Sequence, residues 1–179
     1  MTPFENASGL NQILVIVGPT ASGKSQLSLE VTNQALQKNI RIELISMDSA
    51  LVYRGLNIGT AKPSMAEQLQ VPHHGIDIRD PWENYSAAQF AKDATGWAAE
   101  IRAKGSVPVI VGGTMLYWRA LSQGLTNLPQ SQPEIRLQIA KEAQVIGWPA
   151  MYDRLQVMDP ITASKLPPGD TQRISRALE

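Results

Sequence analysis

The sequence predicts an α/β fold, a parallel sheet covered by helices on both faces, with a small helical insertion towards the carboxyl end. Three observations predict it. Short β-branched runs alternate with amphipathic stretches through the first two thirds of the chain, the rhythm of a parallel sheet with helical crossovers. The first of these runs leads through a glycine-rich loop into a helical stretch. Beyond residue 126, strand-like runs give way to helical periodicity between proline-bearing breaks.

The first strand is read at residues 13–17, the run Ile13-Leu14-Val15-Ile16-Val17, and it passes directly into Gly18-Pro19-Thr20-Ala21-Ser22-Gly23-Lys24-Ser25. Residues 26–37 follow, with Leu27, Val31 and Leu36 at helical spacing. Strand, glycine loop and helix together are the context that identifies a phosphate-binding loop and makes the core P-loop NTPase-like. The glycines let the backbone curl so that several N–H groups face one anion, and the positive end of the helix dipole points at the same spot. Lys24 adds a full charge, and the Ser25 hydroxyl is of the type that holds Mg²⁺.

A second strand is expected at residues 41–46, carrying Ile42, Leu44 and Ile45 and ending at Met47-Asp48-Ser49. Residues 86–104 read as a long amphipathic helix capped by Ser86, with Ala87, Phe90, Ala94, Trp97 and Ile101 on one face. A further strand at 107–111 stops at Gly112-Gly113-Thr114, and a helix runs from 115 to 123. Ligands of parallel sheets bind outside the carboxyl ends of the strands, so the glycine loop, Asp48 and Gly112-Gly113-Thr114 should line one crevice. The link Asn127-Leu128-Pro129-Gln130-Ser131-Gln132-Pro133 then opens a helical insertion with Ile135, Ile139, Ala143 and Ile146 in register. After Pro167-Pro168-Gly169, Asp170 is placed to cap a helix carrying Arg173 and Arg176. The expected organisation is a core domain at 1–126, a helical insertion at 127–169, and the start of a helix returning to the core at 170–179.

Composition narrows the function classes. Sixteen basic and sixteen acidic residues cancel, so a nucleic-acid partner has to be met by a local basic patch rather than by the field of the whole domain. No cysteine is present, which excludes disulfides, thiolate metal sites and cysteine nucleophiles. Residues 1–6 show no basic region ahead of an apolar stretch, and no apolar run approaches membrane-spanning length. The expectation is a cytoplasmic protein with no membrane partner, acting as a monomer.

A phosphate loop alone specifies only a di- or triphosphate ligand. The strand at 107–111 ends in Gly-Gly-Thr instead of the aspartate usual in ATPases and GTPases. The carboxylate left at a strand end is Asp48, a general base for an attacking nucleophile or the carboxylate beside Mg²⁺, against the plainer role of a turn residue. Thr114 offers a hydroxyl at a glycine-softened strand end, or the cap of the helix that follows. Arg173 and Arg176 suit phosphate recognition, or form a solvated basic face. His73 and His74 are set aside as metal ligands, because neighbours on an extended segment point to opposite sides.

At this point the chain resembles the tRNA dimethylallyltransferases, also called tRNA isopentenyltransferases. The resemblance is carried by the loop at 18–25, then Ser46-Met47-Asp48-Ser49-Ala50-Leu51-Val52-Tyr53 and Ile58-Gly59-Thr60-Ala61-Lys62-Pro63. It continues through Pro72-His73-His74, Ile76-Asp77, Tyr85-Ser86, Val111-Gly112-Gly113-Thr114-Met115-Leu116-Tyr117 and Gln172-Arg173-Ile174-Ser175-Arg176-Ala177-Leu178-Glu179. Ser25 stands where the family often has threonine, and Thr171 where it often has proline. The family continues with further strands, helices and a basic segment, so the resemblance implies that part of the family's domain lies beyond these residues.

What the resemblance implies is Mg²⁺-dependent transfer of a dimethylallyl group from dimethylallyl diphosphate to N6 of the adenine next to the anticodon of tRNA. Gly18, Pro19, Thr20, Ala21, Ser22, Gly23, Lys24 and Ser25 would hold the diphosphate, with Ser25 on the metal and Arg173 on the departing group. Asp48 would be the general base and Thr114 a contact to the reacting centre. The tRNA would be met by Asp48, Ser49, Ala50, Leu51, Thr114, Arg136, Gln172, Arg173, Ile174, Ser175 and Arg176. The competing expectations are an ATP-dependent small-molecule kinase, a prenyltransferase acting on free adenine nucleotides, and a phosphate-binding piece without turnover.

Overall fold

In the computed structural model, which describes residues 13–124 and 132–179, the run Ile42–Met47 is a strand buried at every position. Only a sheet covered on both faces allows that. The run belongs to a first compact unit, Met1–Thr126. Its elements are β1 (Leu14–Val17), α1 (Lys24–Gln37), β2 (Ile42–Met47), α2 (Met65–Gln70), β3 (His73–His74), α3 (Ala87–Ala103), β4 (Val107–Gly112) and α4 (Met115–Gln123). The strands lie in the order β1-β4-β2-β3, and every pairing is parallel. This is the expected α/β core.

Alternation along β2 sorts its side chains to two faces. Ile45 and Met47 join Ile110 under Phe90, Ala94, Ala98 and Ile101 of α3 and Tyr117 and Leu121 of α4. Ile42 and Leu44 join Val109 and Val71 on the other face, against Leu29, Val31 and Ala35 of α1. The α3 helix is set by its ends as well as by its apolar stripe. Ser86 and Gln89 form a reciprocal capping box, which satisfies two of the N–H groups a helix start leaves open. Pro108 is tolerated near the start of β4 because the pairing with β1 begins only at Leu14–Val109.

Two expectations are corrected here. In α1, Leu27 and Leu36 are 49% and 60% exposed, and the buried positions are Ser28 and Thr32. Their hydroxyls donate to the Ser25 and Ser28 carbonyls at 2.7 and 2.8 Å, so the buried polar groups are satisfied within the helix. The elements α2 and β3 carry no strong periodicity and were not anticipated as elements. Within them, Ser64 and Glu67 form a second capping box, and β3 pairs with β2 at Leu44–His73 and Ile45–His74.

A buried carboxylate explains why β3 docks there. Glu43 sits in mid-strand and receives His74 Nε2 at 2.8 Å, with Lys104 Nζ at 3.9 Å. Burial pushes its carboxyl up, but the His74 hydrogen bond, the Lys104 charge and the Ser106 hydrogen bond outweigh it and hold the group below its ordinary value.

The second unit, Asn127–Glu179, has helices as its elements among the described residues: α5 (Pro133–Met158), α6 (Pro160–Ala163) and α7 (Thr171–Leu178). The link at 127–131 lies outside the described residues. The α5 helix is interrupted at Gly147, whose φ of 82° and ψ of 156° are not helical, two residues before Pro149. Ile139, Ala143, Met151, Leu155, Ala163 and Ile174 form this unit's core, whereas Ile146, expected on that face, lies one residue before the kink and is exposed. Asp170 caps α7 by accepting from Arg173 N at 3.0 Å, and residues 171–178 pack on α5 within this unit.

The β2 and β4 backbones approach closely where Met47 pairs with Gly112. A Cβ on Gly112 would fall on the Met47 carbonyl. Gly112→Ala should therefore lower the unfolding free energy by about 1–3 kcal/mol, read by urea denaturation; a variant as stable as the parent would show that the two strand ends separate freely.

Candidate functional site

The carboxyl ends of β1, β4 and β2 open into one crevice of about 790 Å³. Its walls include Thr20, Ala21, Ser22, Gly23, Lys24 and Ser25 on one side, Asp48, Ser49, Ala50 and Leu51 on another, and Gly112, Gly113 and Thr114 between them. The three motifs expected to converge from topology do so.

The phosphate loop owes its shape to two left-handed residues, Ala21 at φ 63° and Gly23 at φ 82°. Gly23 is the N-cap of α1 and offers no side-chain acceptor, so the first N–H groups of a 14-residue helix are left for an anion. Lys24 Nζ donates to the Pro19 carbonyl and lies 3.5 Å from Ser22 Oγ. Glycine is needed at Gly18, where a Cβ would sit 2.8 Å from Ser22 Oγ. It is needed again at Gly113, where a Cβ would sit 2.9 Å from the Gly18 carbonyl and 3.9 Å from Lys24 Nζ. The loop thus rests directly on the end of β4.

Asp48 takes the turn role that the sequence left open to it. Its Oδ1 accepts from Ala50 N at 2.8 Å and from Leu51 N at 3.4 Å, which folds the chain back after β2. Its Oδ2 has no hydrogen-bond partner among the described residues. The Asp48 charge is also felt beneath the crevice: Tyr117, which is buried and stacked on Phe90 at 4.6 Å, has its phenol pushed up to about 12 by burial, then by Tyr53 and Asp48.

Thr114 does not cap α4 with its side chain, the plainer of the two roles open to it. It occupies the N-cap position without a side-chain cap hydrogen bond. Its Oγ1 instead accepts from Ser49 N at 3.0 Å, and its backbone N–H donates to the Met47 carbonyl at 3.2 Å. The residue ties the end of β4 to the residue after Asp48.

Several residues that line the crevice had no assigned role in the sequence, among them residues 59–63, Glu67, His73 and Ile76. The signal for the first was Gly59, at φ 78°, inside the Gly-Thr-Ala-Lys-Pro block. His73 and His74 turn opposite ways. His73 Nδ1 lies 2.6 Å from the Val71 carbonyl, and His74 pairs with Glu43. Burial holds His73 below its ordinary value, more strongly than the Val71 carbonyl and the Glu67 charge raise it.

The remaining predicted residues belong to the second unit. Arg136 Nε and an Arg176 guanidinium nitrogen approach the two carboxylate oxygens of Glu179 at 3.3 and 2.6 Å. Arg173 is 68% exposed and pairs with Asp170 at 3.3 Å. Gln172 is exposed and Ser175 half-buried. Ile174 is fully buried in this unit's core, so its side chain is unavailable to a ligand and its place in the motif is explained by packing.

A family model described as IPP transferase matches residues 51–179, a span that excludes the phosphate loop and Asp48. The chain is 58% identical over 167 residues to a tRNA dimethylallyltransferase of Polynucleobacter necessarius subsp. necessarius (strain STIR1), covering 93% of this chain and 50% of that one. Among solved structures it resembles the full-length tRNA isopentenylpyrophosphate transferase of Bacillus halodurans, with a TM-score of 0.58 and 39% identity over 94% of this chain and 54% of that one. It also resembles a eukaryotic dimethylallyltransferase described as acting on tRNA, with a TM-score of 0.72 and 30% identity over 93% of this chain and 40% of that one. The chain spans about half the length of the curated relatives it matches.

Two outcomes follow from these contacts. Thr114→Val should free the Ser49 amide and cost about 0.5–1.5 kcal/mol of stability, with Thr114→Ser restoring both; unchanged Ser49 hydrogen exchange in the valine variant would contradict the contact. Because His73 is held below its ordinary value when folded, the unfolded chain binds the proton more readily, and stability should fall as pH drops below about 6.5. His73→Gln should flatten that slope in pH-dependent thermal melts.

Proposed function

The chain belongs to the IPP transferase family, and from that premise we propose that its crevice transfers a dimethylallyl group from dimethylallyl diphosphate to the N6 amine of an adenine next to the anticodon of tRNA. The observation that carries the reading is the meeting of an open anion cradle and a half-free carboxylate in one crevice.

The reaction needs a bond broken, a bond formed and a proton removed. The C1–O bond of the prenyl diphosphate breaks with its electron pair going to the diphosphate, N6 forms a bond to C1, and the N6 proton passes to a base. The loop N–H groups and the Lys24 ammonium stabilise the charge that gathers on the leaving group, where fixed donors act most strongly. Asp48 Oδ2 takes the proton while Oδ1 stays bound to the Ala50 and Leu51 amides, so the base is held in place as it changes charge. Thr114 contacts the reacting centre from the end of β4 and keeps the Asp48–Ser49 turn in register. Adenine reaches the crevice by leaving the anticodon stack.

Ser25 is exposed at the first turn of α1 and lines the crevice. A single protein hydroxyl beside a diphosphate suits Mg²⁺, which binds chiefly through substrate oxygens and retained waters. Bound there, Mg²⁺ would neutralise diphosphate charge. On the second unit, exposed Gln172 and Arg173, half-buried Ser175 and Arg176, and Arg136 are the side chains assigned to RNA.

The direct test is transfer of labelled dimethylallyl from its diphosphate to unmodified tRNA with Mg²⁺, with free AMP as competing acceptor and ATP as competing donor. Label on tRNA supports the reading; label on AMP alone, or phosphoryl transfer from ATP, overturns it. In the same assay Asp48→Asn should keep diphosphate binding and lower transfer by about two to four orders of magnitude. Parent-like transfer in that variant would remove Asp48 from the mechanism.

A further inference from the structure

Lys62 is a cation in the crevice wall that the phosphate loop and the base do not account for. Only 5% of its side-chain surface is exposed. Its Nζ donates to Asp77 Oδ1 at 2.6 Å and to the Tyr53 carbonyl at 2.9 Å. A lysine this close to a diphosphate site would ordinarily be read as an anion ligand, as Lys24 is. The geometry argues otherwise, because two of the three ammonium hydrogens are already directed at protein oxygens and the side chain is almost wholly enclosed.

The groups Lys62 holds are the two halves of one ladder. Asp77 N donates to the Leu51 carbonyl at 3.0 Å, and Ile78 N and Arg79 N donate to the Val52 carbonyl at 2.9 Å. Tyr53 and Arg79 form a parallel bridge. The same segment, at Ala50 and Leu51, supplies the two N–H groups that hold Asp48 Oδ1. Left-handed backbone flanks the clamp: Asp77, in the ladder, is at φ 54°, and Ala61, next to Lys62, is at φ 52°, both non-glycine residues. Such conformations persist where surrounding contacts over-determine them, and the Lys62 bonds to Asp77 and Tyr53 are contacts of that kind.

We propose that Lys62, clamped by Asp77, is a positioning residue for Asp48: it fixes the turn at 50–53 whose amides orient the carboxylate, and it is not a ligand of the diphosphate. The role rests on the reading of Asp48 as the base. Losing the clamp should weaken the chemical step and leave donor binding intact.

The test uses the full 179-residue chain and the variants Lys62→Met, Lys62→Arg and Asp77→Asn, with inorganic pyrophosphate as the binding probe. Lys62→Met should hold the pyrophosphate Kd within about threefold of the parent, whereas loss of a direct charged contact would raise it more than about tenfold. Amide exchange at Ala50, Leu51 and 77–79 should quicken more than about tenfold. Prenyl transfer should lose kcat with little change in KM for dimethylallyl diphosphate, and Lys62→Arg should recover part of it. Should Lys62→Met fail to fold, Asp77→Asn, which keeps the volume and removes the partner charge, is read by the same measurements. A tenfold weaker pyrophosphate affinity, or unchanged exchange at those amides, overturns the proposal. A parent chain that binds pyrophosphate but transfers no prenyl group counts against the proposed function, while binding and exchange still decide the role of Lys62.

Discussion

The close approach of the β2 and β4 backbones at Met47 and Gly112 sets the dimensions of everything around the crevice. No side chain fits between them, and one residue further on Gly113 rests against the Gly18 carbonyl of the phosphate loop. Two consecutive positions without a Cβ therefore let three chain segments meet at one point, where parallel strand ends would otherwise be held apart by side chains. Thr114 then closes the junction by bonding forward to Met47 and Ser49. The glycine loop and the turn after Asp48 are consequently both in contact with the end of β4.

The polar groups of the crevice differ in how far the protein itself occupies them. Asp48 has one oxygen in a turn, and its other has no hydrogen-bond partner among the described residues. Thr114 lends its hydroxyl to the Ser49 amide. Lys62 is enclosed and paired, whereas among the described residues Lys24 is bonded to its own loop. A cation already satisfied by an aspartate gains little from a substrate phosphate, while helix-start amides without a cap gain much.

The second unit is organised by different forces. Its helices enclose an apolar core, and two arginines converge on the almost fully enclosed carboxylate of Glu179. An ion cluster of this kind fixes orientation more than it adds stability, because desolvation offsets much of the attraction. Ile174 shows why a shared motif is not a list of ligands: one turn of α7 carries exposed Arg173 and buried Ile174 side by side, since a helix turns about 100° per residue.

The strand runs, the glycine loop and the capping signals at Ser86 and Asp170 were legible in the sequence because each rests on neighbouring residues alone: a period of two, an absent Cβ, a side-chain oxygen one turn ahead of an N–H. The meeting of the loop, Asp48 and Gly112-Gly113-Thr114 was legible one step further out, since parallel topology places ligands at the carboxyl ends of strands. Tertiary structure alone decided which face of α1 is buried. There Ser28 and Thr32 are buried in place of the apolar Leu27 and Leu36, and each hydroxyl is satisfied by a carbonyl of its own helix. It also decided that the Thr114 hydroxyl serves Ser49 rather than its helix, that Glu43 lies buried against His74, and that Lys62 reaches Asp77. These pairs join residues 15 to 65 positions apart, and no local pattern encodes a partner at that distance; the packed fold has to bring it there.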